Sequence, residues 1–182
     1  MPQFPVLETA RFVLREIKQE DSKDLFHYFS SDEVTKFYDV ESFRSVEQAE
    51  ELIHRWNDRF NQEQAIRWGI TLKSENKVIG TCGFHGWAKN HYKAHIGYEL
   101  APEYWGQGYM TEAIQRIIEF GFSHLGLNRI EAYVEPKNMG SRKLLENIGF
   151  REEGILKEHY YWKNQFVDTV IYALLKKQFL HP

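Results

Sequence analysis

One stretch in the middle of the chain, Gly97-Tyr98-Glu99-Leu100-Ala101-Pro102-Glu103-Tyr104-Trp105-Gly106-Gln107-Gly108-Tyr109-Met110, constrains the fold more than any other. A short apolar strand runs into a proline-marked loop, and a Gly-x-Gly turn then opens a strongly amphipathic helix. That helix keeps Met110, Ala113, Ile114, Ile117, Ile118, Gly121 and Leu125 on one stripe at spacings of three and four. A helix start offers unpaired backbone N–H groups and the positive end of the helix dipole, which together suit a phosphate. Gly106 and Gly108 have no Cβ, so the backbone there can come close to such a ligand. The loop reads as a pyrophosphate holder.

Three other kinds of glycine loop share parts of this pattern. In an ordinary strand-to-helix turn the glycines would only relieve strain. A dinucleotide fold needs a third glycine, but the loop reads Gly106-x-Gly108-x-x-Thr111, and Glu131 is the best ribose-binding acid the next strand offers. A P-loop is excluded because no Gly-Lys-Ser/Thr follows.

Around the loop, apolar alternation predicts strands at about 11–17, 66–73, 78–84, 93–100 and 129–135, and a closing hairpin of 150–161 with 166–175 that turns at Lys163-Asn164-Gln165. Asp21 reads as the cap of a first helix carrying Leu25, Phe26 and Phe29 inward, and Ser45-Val46-Glu47-Gln48 as the capping box of a second. The phosphate-loop helix spans about 108–124, and a shorter one spans about 141–147 before Gly149. Residues 31–44 form no clear element. The class is α+β: a mixed, mostly antiparallel central sheet of about seven strands flanked by about four helices. A single domain is expected over 7–176, with terminal extensions at 1–6 and 177–182.

Composition narrows the function classes. With 42% hydrophobic and 15% aromatic residues the chain buries a full core, and a formal charge of −3 leaves no basic footprint for nucleic acid. Cys82 is the only cysteine, so no intramolecular disulfide forms and a reducing, cytoplasmic setting is expected. No signal peptide is visible, and no apolar run approaches the roughly 20 residues that span a bilayer. His85, His91 and His95 lie too irregularly for a metal site.

Two segments carry a family resemblance. Trp105-Gly106-Gln107-Gly108-Tyr109 followed by Thr111-Glu112-Ala113 resembles the acyl-CoA loop of the GNAT superfamily of N-acyltransferases, and Asn138-Met139-Gly140-Ser141-Arg142-Lys143-Leu144-Leu145-Glu146-Asn147-Ile148-Gly149-Phe150 resembles its second cofactor motif. Their order and spacing are similar to the ribosomal-protein-alanine N-acetyltransferase (RimJ/RimL) branch, with the likeness running from about Leu7 to about Lys176. The resemblance implies the acyl-CoA N-acyltransferase fold and an acetyl-CoA-dependent transfer to a primary amine, foremost a protein N-terminal α-amine. A small-molecule amine (a polyamine or an antibiotic) and a non-catalytic acyl-CoA-binding regulatory module are the alternatives.

Site residues follow from the same resemblance. Main-chain groups of Gly106, Gln107, Gly108, Tyr109, Met110 and Thr111 would hold the pyrophosphate, and backbone near Tyr98 and Leu100 the pantetheine arm and thioester carbonyl. Asn138 would anchor a pantetheine amide. Glu99 is the candidate base, with Glu135 in reserve and His85 as an assistant; a solvated strand-end carboxylate is the competing reading of Glu99. Many relatives use a tyrosine as acid where this chain has Leu145, which puts that role on Ser141; simple helix capping is the competing reading. Met110 departs from the family pattern and would set a bulky side chain beside the pyrophosphate path. The aromatic hairpin at Tyr160, Tyr161 and Trp162 offers a homodimer contact.

Overall fold

The strand expected at about 11–17 forms over Phe12–Arg15, and a two-residue strand precedes it. In the computed structural model, which describes residues 3–180, β1 (Leu7–Glu8) and β2 (Phe12–Arg15) pair antiparallel with Leu7 opposite Leu14. Next come α1 (Ser22–Phe29), α2 (Asp32–Thr35) and α3 (Val46–Asn61). Asp21 stands at the start of α1 but makes no side-chain cap. Its carboxylate instead accepts two bonds of 2.8 Å from Arg15 and one of 2.8 Å from the Lys18 N–H, on the preceding turn. At α3 the expected cap forms: Gln48 Oε1 accepts from the Ser45 N–H at 3.2 Å.

The central strands are β3 (Ile66–Leu72), β4 (Val78–Ala88) and β5 (Lys93–Leu100), followed by α4 (Tyr109–Ser123) and β6 (Arg129–Val134). The chain continues through α5 (Met139–Ile148), β7 (Arg151–Trp162), β8 (Gln165–Leu175) and α6 (Lys176–Leu180). The strand order is β1-β2-β3-β4-β5-β6-β8-β7, mostly antiparallel, with a parallel step where Lys93–His95 face Arg129–Glu131. Eight strands and six helices among the described residues exceed the expected counts. The additions, β1, α2 and α6, are two to five residues long, too short for a periodic stripe to show in the sequence. The placement of 31–44 outside regular structure is corrected by α2, and 177–180 lie in α6; residues 1–2 and 181–182 lie outside the described residues.

Contacts divide the chain into two compact units. One takes in the chain up to Gly86 together with Gly97–Ile117, and the other Trp87–Ile96 with the chain from Ile118 onward. In the first, Leu25, Tyr28 and Phe29 of α1 and Ala49, Leu52 and Ile53 of α3 form the buried cluster, with Phe26 packed against it at partial burial. Phe4 packs on Phe60 and Trp68, and Trp68 Nε1 donates to the Pro5 carbonyl at 2.8 Å. In the second, β7 and β8 turn through Lys163 (φ 46°) and Asn164 (φ 60°), the left-handed pair that a tight two-residue hairpin requires. The edge strand β7 is largely exposed and shifts register twice against β8, between Glu152 and Gly154 and between Leu156 and Tyr160.

Gly83 shows how closely β3 and β4 approach. A Cβ there would sit 2.1 Å from the Ile66 carbonyl oxygen and 2.8 Å from Arg67 Cα, both backbone atoms. Gly83→Ala is therefore expected to lower stability by about 1–3 kcal/mol. Urea unfolding checks this as a lower midpoint at unchanged slope.

Candidate active site

The strand-to-loop segment folds as its sequence suggests. β5 ends at Leu100, Ala101 donates its N–H to the Ile79 carbonyl at 2.8 Å, and Pro102–Tyr104 make a short 3₁₀ turn. Trp105 stays half exposed but anchors the turn, its Nε1 donating to the Leu100 carbonyl at 2.7 Å. Gly106 and Gly108 both take left-handed backbone, φ 73° and 72°, which explains both glycines. A Cβ at Gly106 would meet nothing within 4 Å, and at Gly108 only Arg11 Nη2 at 3.8 Å. The loop thus presents bare backbone to open space at the start of α4, the shape a pyrophosphate cradle needs. Met110 is buried, as its place on the helical stripe requires.

Arg11, which sequence reading passed over, braces the loop from behind. Its Nη1 donates to the Gln107 carbonyl at 3.1 Å and its Nη2 to the Gly108 carbonyl at 3.3 Å. Its Nε reaches Glu112 Oε2 at 2.6 Å and its own N–H reaches Glu112 Oε1 at 2.9 Å. Partial burial pushes the Glu112 carboxyl up, but hydrogen bonds from Thr9 and Arg11 outweigh it and hold the pKa below the ordinary value.

Glu99 is buried at 6% exposure, which removes the reading of a solvated strand-end carboxylate. Four donors surround it. Oε1 accepts from Thr81 Oγ1 and, at 3.4 Å, from Tyr28 Oη; Oε2 accepts from Arg67 Nη2 and, at 2.9 Å, from Tyr38 Oη. These fill the roughly four lone-pair sites of a carboxylate. Burial opposes the charge on Arg67, yet the adjacent Glu99 holds its pKa above the ordinary guanidinium value. Burial above all drives both tyrosine pKa values up, so Tyr28 and Tyr38 remain protonated donors. Arg67 Cζ also lies 5.1 Å from the Trp56 ring, and a Cβ on Gly97 would come within 2.9 Å of Arg67 Nη1. Gly97 makes room for the guanidinium. Nothing local in the sequence announces this network, since Tyr28, Tyr38 and Arg67 stand 71, 61 and 32 positions from Glu99.

The second unit carries Asn138, Ser141 and Glu135, while His85 and Cys82 lie in the first. Asn138 caps α5, its Oδ1 accepting from the Ser141 N–H at 3.1 Å, so the capping role weighed for Ser141 belongs to Asn138. Ser141 sits in the first turn of α5, half-buried, and Leu145 one turn on is fully buried. Gly149 closes the helix with φ 107°, its N–H bonded to the Leu145 and Glu146 carbonyls. Glu135 is half-buried beyond β6, and His85 is exposed on β4. Cys82 is fully buried and its thiol is pushed up to about 12, chiefly by burial, which suits a core thiol and not a nucleophile. Among the described residues no group of three or more His, Cys, Asp or Glu could hold a metal, and no helix is long and apolar enough to cross a membrane.

Comparison with known proteins supplies the family context. The model of the acetyltransferase (GNAT) domain matches residues 11–151. An uncharacterized N-acetyltransferase of Bacillus subtilis, YoaA, is 42% identical over 95% of this chain and 98% of its own. A spermidine N(1)-acetyltransferase of Vibrio cholerae is 23% identical, covering 94% of this chain and 97% of its own. The crystal structure of a ribosomal-protein-S5-alanine acetyltransferase from Vibrio fischeri superposes with a TM-score of 0.83 at 25% identity, over 96% of this chain and 98% of that one.

Removing one member of the buried pair should harm more than removing both charges. Arg67→Met leaves the Glu99 carboxylate buried and unpaired and is expected to destabilise by about 3–5 kcal/mol. Adding Glu99→Gln to it should recover part of that loss, which a double-mutant cycle in urea measures.

Proposed function

The chain belongs to the GNAT acetyltransferase family, whose members are transferases that use acetyl-CoA, and from that premise we propose that its acceptor is a protein N-terminal α-amine. The observation that carries this reading is the filled coordination of Glu99. A carboxylate whose lone pairs are all engaged by protein donors must release one of them before it can take a proton, so the enzyme is best served by an amine that is already partly neutral. At pH 7 about one α-amino group in seven is neutral, against roughly one lysine side chain in 2,500. The name of the Vibrio fischeri neighbour, a ribosomal-protein-S5-alanine acetyltransferase, points the same way. The spermidine-acetylating relative keeps a polyamine as the rival acceptor.

In the reaction the amine nitrogen attacks the thioester carbonyl carbon, an amide bond forms, and the carbon–sulfur bond breaks. The amine loses a proton and the departing thiolate gains one. Acetyl-CoA supplies the activated acetyl group when bound, and the residues of the chain position and move protons. Glu99 takes the amine proton, directly or through a water, once one of its hydroxyl donors turns away. Tyr38, half-buried where Tyr28 and Thr81 are buried, is the donor best placed to do so. Ser141 protonates or hydrogen-bonds the thiolate, any proton it gives being replaced from water, Asn138 steadies the pantetheine amide, and main-chain groups from Gly106 to Thr111 take the pyrophosphate, with those of Tyr98 and Leu100 along the arm. The exposed rings of Tyr160 and Tyr161 support a homodimer contact along that hairpin, which light scattering at micromolar concentration checks.

The acceptor class is tested by release of free thiol from acetyl-CoA over a panel of ribosomal-protein N-terminal peptides, lysine peptides with blocked N-termini, and spermidine. The expected result is kcat/KM highest for the N-terminal peptides, rising with pH to a shoulder near about 8. A shoulder near 10, or a clear preference for spermidine, would sink the proposal. Ser141→Ala should lower kcat by about one to two orders of magnitude while leaving acetyl-CoA affinity nearly unchanged. Glu99→Gln should depress the low-pH limb most, since at high pH the amine is neutral without help.

A further inference from the structure

We infer that Arg11 is a positioning residue for the cofactor loop, holding the Gln107 and Gly108 carbonyls on one side so that the following N–H groups face the pyrophosphate. The inference rests on the assignment of that loop to the pyrophosphate. A peptide unit is planar and trans, so its C=O and the next N–H point in opposite directions. Because Arg11 draws the Gln107 and Gly108 carbonyls toward itself at 3.1 and 3.3 Å, the N–H groups of Gly108 and Tyr109 point away from it. The Gly108 carbonyl is also held from within α4 by the Glu112 N–H at 3.2 Å, whereas for the Gln107 carbonyl the left-handed glycines permit this arrangement without imposing it, and Arg11 supplies the constraint.

Three features make Arg11 a brace and not a passing contact. Its planar fork engages two carbonyls and a carboxylate at once, which a lysine cannot do. The carboxylate belongs to Glu112 in the first turn of α4, so the loop and the helix start are held by one group. Phe12, the next residue along, stacks edge-on against Tyr109 at 5.1 Å, and the Tyr109 ring lies 4.4 Å from Arg11 Cζ. The Arg11 side chain is nevertheless 41% exposed, and exposed ion pairs contribute little to global stability. Its effect on ligand geometry is therefore separable from its effect on folding.

The test uses two acetyl donors: acetyl-CoA, and S-acetylpantetheine, which lacks the pyrophosphate and the nucleotide. In Arg11→Gln, calorimetry should show acetyl-CoA affinity reduced roughly tenfold, as for loss of one orienting contact behind a binding group. The kcat/KM for acetyl-CoA should fall in parallel, with kcat/KM for S-acetylpantetheine and Tm nearly unchanged. Arg11→Lys should fail to restore acetyl-CoA affinity. Equal losses with both donors would reduce Arg11 to a structural residue, and unchanged acetyl-CoA affinity would overturn the brace outright. A wild-type enzyme that bound both donors equally well would instead overturn the loop assignment itself, so the two failures are distinguishable.

Discussion

The ion pair between Arg67 and Glu99, sealed from water inside the first unit, governs how much of that unit is arranged. Five segments send a group to it: Tyr28 from α1, Tyr38 from the stretch after α2, Arg67 from β3, Thr81 from β4 and Glu99 from β5. A buried pair is a poor source of net stability, since removing two charges from water consumes most of what their attraction returns. Its value lies in being intolerant of alternatives. Any register that moved β3 against β5 would strand a charge in the core, so the arrangement that satisfies all four donors is strongly selected. The same saturation bears on chemistry, because a donor must leave Glu99 before a proton can arrive, which favours an acceptor that is already neutral.

What was legible in the sequence was whatever is contiguous. The Trp105–Thr111 loop, the stripe of α4 and the hairpin turn at Lys163 and Asn164 each carry their signal within a few neighbouring residues, and each appears where expected. Glu99 was also singled out, for its place on the strand, but its surroundings were not, because its partners come from across the chain. Arg11 was missed for the same reason, standing 96 positions from Gln107. Local signals also failed where a neighbour offered a competing bond: the Asp21 carboxylate is engaged by Arg15 and the Lys18 N–H, and the cap of α5 is Asn138.

The glycines illustrate the limit most directly. Gly106 and Gly108 are required by their left-handed backbone and border open space, whereas Gly80 and Gly83 have no room for a Cβ because neighbouring backbone lies within 3 Å. In the sequence these are the same letter. Only packing distinguishes a glycine that shapes a ligand surface from one that lets two strands close.

At the far edge of the sheet order, β7 presents twelve residues of outward backbone carrying several apolar side chains, the kind of rim along which chains zip together into fibrils. Its two register slips and the left-handed kink at Glu158 (φ 48°) divide that rim into short lengths. A foreign strand laid along it would find matching hydrogen bonds for only a few residues before falling out of step. The irregularity of β7 thus acts as a solubility device: aromatic surface can stay exposed at the hairpin tip without turning the whole edge into a template for aggregation.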